Sequence, residues 1–162
     1  MPQANSANNT DLTKRANFRD WTRAIIRYRD LDPNGHVNNG AINGFFEEGR
    51  IHFRRDDLIR SGRDTVAGVV VVHFDARYRA ALYFPGEVEI GTTILEVRGA
   101  SFTFGQAIFQ GETCIATAAV EAVFITPDTG RAVRIPFAVP HSHCLVPAHQ
   151  SRKHLAPPPQ PH

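Results

Sequence analysis

Cysteine is scarce in this chain, which limits what can hold the fold together. The 162 residues include two cysteines, Cys114 and Cys144, too few for a disulfide framework. Cys114 lies in an apolar run typical of a strand, and we interpret it as a small core residue. Cys144 lies near His141, His143 and His149, but their spacing matches no common zinc pattern, so we predict no metal site there.

Lysine and long apolar runs are also nearly absent. Lys14 and Lys153 are the only lysines, and the formal net charge of +2 indicates no nucleic-acid partner. No run approaches the roughly 18 apolar residues of a membrane-spanning helix, so we expect no membrane association. The first residues, MPQANSANNTDLTKR, lack the apolar centre of a signal peptide. These absences predict a cytoplasmic protein.

Composition divides the chain into three parts. Residues 1–17 are polar and rich in asparagine, which predicts a disordered N-terminal arm. Residues 141–162, which end in LAPPPQPH, predict a flexible tail rich in proline and histidine. Residues 18–140 lie between them and are long enough to bury a core as one domain.

Hydrophobic periodicity first predicts a strand and then a long helix. From Trp21 to Arg29 apolar and charged residues alternate, which is the period of a half-buried strand. From Ala41 to Arg60 apolar residues recur at three- and four-residue steps, which predicts a helix capped by Asn38 or Asn39. Its apolar stripe comprises Ile42, Phe45, Phe46, Gly49 and Phe53, and we expect Gly44 and Gly49 to permit close packing on a sheet.

The remaining segments predict strands. Alternating patterns separated by turn residues occupy 69–78, 87–97, 101–109, 113–125 and 131–135, and we interpret them as a meander of four or five strands. One helix and one antiparallel sheet must bury their apolar faces against each other. The sequence therefore predicts an α+β domain in which the sheet wraps the helix.

The loop DLDPNGHVNN, residues 30–39, joins the first strand to the helix and begins like a calcium-binding loop. An EF-hand ends with a bidentate glutamate at its twelfth position, where this chain has Ala41. The segment before the loop is also predicted to be a strand and not the helix that an EF-hand requires. We therefore exclude calcium binding.

This loop nevertheless concentrates residues that can perform chemistry. The chain has no phosphate-binding glycine loop, nucleophile elbow or cysteine–histidine pattern. Asp30, Asp32 and His36 precede a helix whose first N–H groups and partial positive charge suit an oxyanion. A carboxylate there could act as a nucleophile or as a general base. The other interpretation is that these residues are turn formers and helix caps.

The string RYRDLDPNGHVNNGAINGFFEEGR resembles the hot-dog-fold acyl-CoA thioesterases, specifically the 4-hydroxybenzoyl-CoA thioesterase-like branch. Its HVNN element also resembles the plant acyl-carrier-protein (acyl-ACP) thioesterases. The resemblance implies an α+β hot-dog fold, with one long helix wrapped by an antiparallel sheet of about five or six strands. It implies an enzyme, a thioester hydrolase that acts on an acyl-CoA or acyl-carrier-protein thioester as a homodimer or homotetramer. No cofactor is expected, since coenzyme A is part of the substrate.

The resemblance also implies roles for individual residues. Asp32 matches the catalytic carboxylate, and Asn34 and His36 match the polar pair that accompanies it. Asn39 matches the residue at the helix start whose backbone N–H polarises the thioester carbonyl. The additional glutamate of the plant enzymes has no clear counterpart here, and Gly44 and Gly49 leave the length of the acyl chain open.

The resemblance and the chemistry leave some alternatives. A helix N-terminus favours the charged form of Asp32 and thus its attack as a nucleophile, whereas desolvation by substrate favours a general base. Rival functions are a non-catalytic acyl-CoA-binding module and, less well supported, an enoyl-CoA hydratase or dehydratase. In the usual D-x-N-P-x-H loop of those enzymes Asp lies five residues before His, whereas Asp32 lies four before His36.

Overall fold

The computed structural model describes residues 10–60 and 68–134. It contains one α-helix, α1 (Asn39–Arg60), and five strands: β1 (Asp20–Ile25), β2 (Val69–Tyr78), β3 (Glu87–Arg98), β4 (Ser101–Gln110) and β5 (Thr113–Phe124). Two single-turn 3-10 helices, Arg15–Asn17 and Tyr28–Asp30, flank β1. One long helix packed on one antiparallel sheet confirms the predicted α+β hot-dog fold. Neither described range includes a helix with the length and apolarity needed to span a bilayer.

The sheet order is β1-β3-β4-β5-β2, with every neighbouring pair antiparallel. Strands β3, β4 and β5 form a meander, but β2 lies beyond β5 at the far edge. The prediction that all downstream strands follow one another in a meander is therefore wrong for β2. The predicted strand at 131–135 is also not seen in its described part, where Ala132 forms a single bridge with Ile125.

The apolar stripe of α1 is buried as predicted, and the helix packs against β1, β3 and β4. Gly49 is in close contact, since a Cβ there would lie 2.6 Å from Ile90 Cγ2 and 3.1 Å from Gln106 Nε2. Gly44 faces open space, so the expectation of close packing is confirmed for Gly49 and wrong for Gly44.

A buried amide joins α1 to the sheet. Gln106 is fully buried, and its Nε2 donates to the Phe46 carbonyl oxygen at 3.0 Å and to Thr92 Oγ1 at 3.0 Å. Its Oε1 accepts from Arg50 Nη1 at 2.9 Å. All polar atoms of the amide are engaged, so its burial carries no uncompensated desolvation cost.

Strand β1 is shorter than predicted. Ala24 and Ile26 are buried in the predicted phase, but the chain then turns and Tyr28 is 77% exposed. The carboxylate of Asp30 accepts the Arg27 N–H at 2.7 Å and closes a turn where the alternating pattern had indicated more strand. The predicted continuation to Arg29 is wrong because this local side-chain bond competes with the ladder.

The segment before β1 packs across the face of the sheet that is turned away from α1. Phe18 is 5% exposed, and a Cβ on Gly91 would lie 2.5 Å from its ring. Leu12 lies 2.9 Å from the corresponding Cβ position on Gly105. Cys114 packs at the margin of this cluster, and burial raises the pKa of its thiol.

Packing therefore extends upstream of residue 18, into the predicted arm. The domain boundaries otherwise stay predictions, because residues 1–9 and 135–162 lie outside the described residues. Cys144, His141, His143 and His149 lie outside them too.

Candidate functional site

The loop before α1 is a closed turn. Asp32 N–H donates to the His36 carbonyl oxygen at 2.7 Å, and Gly35 N–H donates to the Asp32 carbonyl oxygen at 3.0 Å. Gly35 has a φ of +80°, which a glycine adopts without the steric penalty of a side chain. The turn holds the side chains of Asp32 and His36 on the same loop, immediately before the helix.

The carboxylate of Asp32 is also part of this turn. Its Oδ1 accepts the N–H of Asn34 at 2.8 Å and that of His36 at 3.2 Å. Desolvation acts to raise the pKa of Asp32, but these backbone hydrogen bonds, the Asn34 side chain and the nearby His36 side chain together outweigh it and hold the pKa below the ordinary value of 3.8. Both backbone bonds fall on Oδ1, so Oδ2 accepts neither of them.

The start of α1 is capped by Asn38. Its Oδ1 accepts the Ala41 N–H at 2.8 Å, and its Nδ2 donates to the Asp30 carbonyl oxygen at 2.7 Å. Within the described residues, the N–H groups of Asn39 and Gly40 have no acceptor. Two uncapped donors at a helix N-terminus are suited to an oxygen that carries developing negative charge.

A pocket of about 350 Å³ lies beside this helix start. It forms because Val37 N–H donates to the Leu82 carbonyl oxygen at 2.9 Å, which brings the segment after β2 against the loop. The pocket is lined by Asp32, His36, Val37, Asn39, Ile42, Tyr78, Arg79, Ala80, Ala81 and Leu82.

Three of the four predicted site residues line this pocket, namely Asp32, His36 and Asn39. Asn34 does not line it and supplies its N–H to the Asp32 carboxylate instead. Sequence reasoning missed residues 78–82, which form another wall of the pocket. The apolar residues of this segment do not indicate chemistry, and the segment lies about 40 residues from the loop that carries Asp32 and His36. Arg79 was the one visible signal, and its Nε donates to Thr117 Oγ1 at 3.2 Å.

The pocket combines three chemical elements. An ionised carboxylate and an imidazole stand on one wall, and unpaired backbone N–H groups stand at the helix start. Apolar surface from Ile42 and Leu82 completes the lining. Such a set can hold a carbonyl by its oxygen and attack its carbon. In 10–60 and 68–134 there is no cluster of His, Cys, Asp and Glu that could bind a metal.

Fold and pocket together define the class: a hot-dog domain with a carboxylate at the N-terminus of its central helix. The sequence model of the thioesterase-like superfamily matches residues 26–142. The chain therefore belongs to this superfamily, and it is a thioester hydrolase.

Solved structures agree with this assignment. A probable thioesterase from Bartonella henselae is 28% identical over 74% of this chain and 98% of its own, with a TM-score of 0.63. A thioesterase from Thermus thermophilus, complexed with coenzyme A and zinc, is 25% identical over 75% of this chain and 94% of its own, with a TM-score of 0.64. A predicted thioesterase from Bacillus stearothermophilus is 26% identical over 72% and 86%, with a TM-score of 0.65. No curated protein matches the chain.

Proposed function

We propose that the protein hydrolyses an acyl-CoA thioester to the free acid and coenzyme A, with Asp32 as the catalytic carboxylate. The observation that carries the proposal is the shared pocket, in which Asp32 and the uncapped helix start at Asn39 line one cavity. Coenzyme A as the thiol is supported by the Thermus thermophilus thioesterase, whose structure contains it.

In the proposed reaction, the thioester carbonyl oxygen accepts the N–H of Asn39 and the carbonyl carbon faces Asp32 Oδ2. Direct attack by the carboxylate forms an anhydride, expels the thiolate of coenzyme A, and is followed by water attack that releases the acid. General-base catalysis is the alternative, in which Asp32 removes a proton from water that attacks the carbon. A lowered pKa makes Asp32 a weak base, which favours the nucleophilic route.

His36 and Asn34 have supporting roles in this proposal. Asn34 holds the Asp32 carboxylate through its backbone N–H. His36 also donates its backbone N–H to this carboxylate, and the residue lines the pocket. Thiolate is a good leaving group, so neither residue needs to protonate sulfur. The two residues orient the carboxylate or the attacking water.

The active form is proposed to be a homodimer joined at the β2 edges. Strand β2 lies at the edge of the sheet and exposes Val70, Val71 and Val72, by 45%, 43% and 57%. A long apolar edge strand pairs readily with another strand. Since Tyr78 ends β2 and lines the pocket, a second copy on this edge would approach the site.

The decisive experiment is thiol release from a panel of short, long and aromatic acyl-CoAs by the wild type and by Asp32→Asn. Asparagine keeps an oxygen acceptor for the turn and removes the negative charge. We expect kcat/KM to fall about 100-fold or more on the preferred substrate. The matched control is Asp30→Asn, which makes the same change at the adjacent turn and should retain activity.

Other outcomes distinguish the rival functions. Equal hydrolysis by wild type and Asp32→Asn would make Asp32 a turn residue and overturn its proposed role. If acyl-CoA raised the Tm without any thiol release, the chain would be a binding module, since a bound ligand stabilises by mass action. Hydration of an enoyl-CoA would favour the hydratase.

A further inference from the structure

Next to the pocket lies a group of exposed aromatic side chains, Tyr28, Tyr83 and Phe84, which we call the aromatic platform. Tyr28 is 77% exposed, Tyr83 is 54% exposed and Phe84 is 42% exposed. The Tyr28 and Phe84 rings contact each other edge to face, with centroids 6.0 Å apart. Scattered exposed aromatics are ordinary, but a contiguous group beside a binding pocket indicates a recognition surface.

The platform is fixed to the pocket by backbone and ring contacts. Ile26 N–H donates to the Gly86 carbonyl oxygen at 3.0 Å, which joins the segment that carries Tyr28 to the segment that carries Phe84. The His36 ring, which lines the pocket, contacts the Tyr83 ring at a centroid distance of 5.1 Å. The platform is therefore continuous with the pocket through the His36–Tyr83 contact.

Positive charge accompanies the aromatic rings. Arg27 and Arg29 flank Tyr28, and both are exposed and form no ion pair within the described residues. The carboxylates in 23–38 and 79–87 are Asp30, Asp32 and Glu87, and the arginines are Arg23, Arg27, Arg29 and Arg79, so the formal charge of these segments is +1. Asp30 and Asp32 keep their charge while they accept backbone N–H groups. The guanidinium groups of Arg27 and Arg29 are nevertheless exposed and, in the described part of the chain, unpaired, which leaves them available to an anionic ligand.

We infer that the aromatic platform, with Arg27 and Arg29, binds the adenosine 3′,5′-bisphosphate end of the coenzyme A thioester. The inference rests on the proposed acyl-CoA substrate and assigns the part of the surface that its nucleotide occupies. An exposed ring offers a stacking face for adenine, and guanidinium groups form paired hydrogen bonds to phosphate oxygens. A carrier-protein thioester has no such nucleotide, so this surface would distinguish the two kinds of substrate.

The test compares two thioesters of the same acyl group, acyl-CoA and acyl-pantetheine, of which the second lacks the nucleotide. The variants are Tyr28→Ala and the double substitution Arg27→Gln/Arg29→Gln. For each we expect KM for acyl-CoA to rise about tenfold or more, and kcat/KM for acyl-pantetheine to stay at the wild-type value. Arg55→Gln, which changes an exposed arginine in the C-terminal half of α1, is the control and should alter neither.

A second readout does not depend on catalysis. Free coenzyme A should raise the Tm of the wild type more than dephospho-coenzyme A does, and the difference should disappear in Arg27→Gln/Arg29→Gln. A coenzyme A shift that is lost in this variant, in a protein that releases no thiol, would support the platform and reject the proposed hydrolysis.

Three results would overturn the inference. Equal losses on acyl-CoA and acyl-pantetheine would mean that the variants disturb the pocket. Unchanged KM and Tm shifts in both variants would mean that the nucleotide lies elsewhere. A loss confined to an acyl-carrier-protein substrate would make the platform a protein-docking surface.

Discussion

At the scale of single residues, the hydrogen bonds that position the Asp32 carboxylate also change its reactivity. The N–H groups that fix its carboxylate also stabilise its charge, so the turn that positions Asp32 makes it a weaker base. A group that stays ionised across neutral pH is available for nucleophilic attack without first losing a proton. The pH dependence of the reaction therefore reports how Asp32 acts.

We expect kcat/KM to show no acidic limb from Asp32 between about pH 5 and pH 8. The pKa of the folded carboxyl lies below 3.8, so the active charged form persists until the pH falls through that lower value. For the same reason, its contribution to stability is present above the unfolded pKa and is lost only in acid. The measurement is a pH profile of thiol release by the free enzyme.

The control for this profile is His36→Asn, which removes the imidazole. A limb that disappears in His36→Asn belongs to His36. A limb above about pH 5 that persists in His36→Asn and shifts in Asp32→Glu would show that the pKa of Asp32 is raised. That result would favour the general-base route.

The backbone N–H of Asn39 can be tested separately from its side chain. Asn39 is the first residue of α1, a position where proline fits the helix and simply removes the N–H. We expect Asn39→Pro to lower kcat about 100- to 1000-fold, with little loss of stability. Asn39→Ala keeps the N–H and should remain active.

Kinetics and thermal unfolding of both variants decide the result. Equal activity of Asn39→Pro and Asn39→Ala would assign the carbonyl to another donor, of which the Gly40 N–H is the nearest. A large loss of Tm in Asn39→Pro alone would make the kinetic comparison uninformative about the oxyanion, so the variant must first match the wild type in unfolding.

At the scale of elements, α1 is positioned by a close approach to the sheet. The absence of a Cβ at Gly49 makes room for Ile90 and for the buried Gln106 amide, which reaches the Phe46 carbonyl oxygen. Because α1 begins at the pocket, the packing of its middle turns on the sheet also fixes the position of Asn39 relative to the pocket. A glycine in a helix costs conformational entropy, and here close packing offsets that cost.

Gly44 and Gly49, both in the interior of α1, form a matched pair for a stability test. Gly49→Ala should lower the free energy of unfolding by about 1–3 kcal/mol, because its Cβ would overlap Ile90. Gly44→Ala meets open space and should raise that free energy by up to about 1 kcal/mol through helix propensity. Denaturant unfolding of both variants provides the measurement, and a stabilised Gly49→Ala would refute this packing argument.

At the scale of the whole molecule, the two edges of the sheet differ. Strand β1 carries charged and exposed residues and leads into the pocket loop, whereas β2 presents a run of valines. Natural proteins protect apolar edges by covering or pairing them. This asymmetry makes the β2 edge the one where a second copy would add its strand.

We expect the double substitution Val70→Lys/Val72→Lys to convert a dimer to a monomer in sedimentation equilibrium. Two lysines on each edge bring like charges together and remove apolar contact. Val97→Lys, which changes a 40% exposed valine near the end of β3, away from the β2 edge, is the control and should stay dimeric. A wild type that sediments as a monomer would contradict the proposed assembly.

Much of the fold was readable from periodicity. Strand β2 has the predicted bounds, and α1 begins two residues before the predicted Ala41. The errors in the predicted fold occur where a side chain forms a hydrogen bond with nearby backbone, as at Asp30, or where the pairing partner of a strand had to be predicted. The paired residues of β2 and β5 lie between 38 positions apart (Tyr78 and Ala116) and 55 positions apart (Val69 and Phe124), and no local sequence pattern encodes this pairing.

The sequence by itself determined the elements, the apolar face of α1 and the polar loop from Asp32 to Asn39, because these depend on near neighbours along the chain. Only the tertiary structure decided that residues 78–82 form the opposite wall of the pocket, that Asn38 and not Asn39 caps the helix, and that aromatic rings border the site. The reason is physical. Backbone conformation follows local sterics and hydrogen bonds, whereas a pocket arises where segments distant in sequence are brought together by burial of a common core.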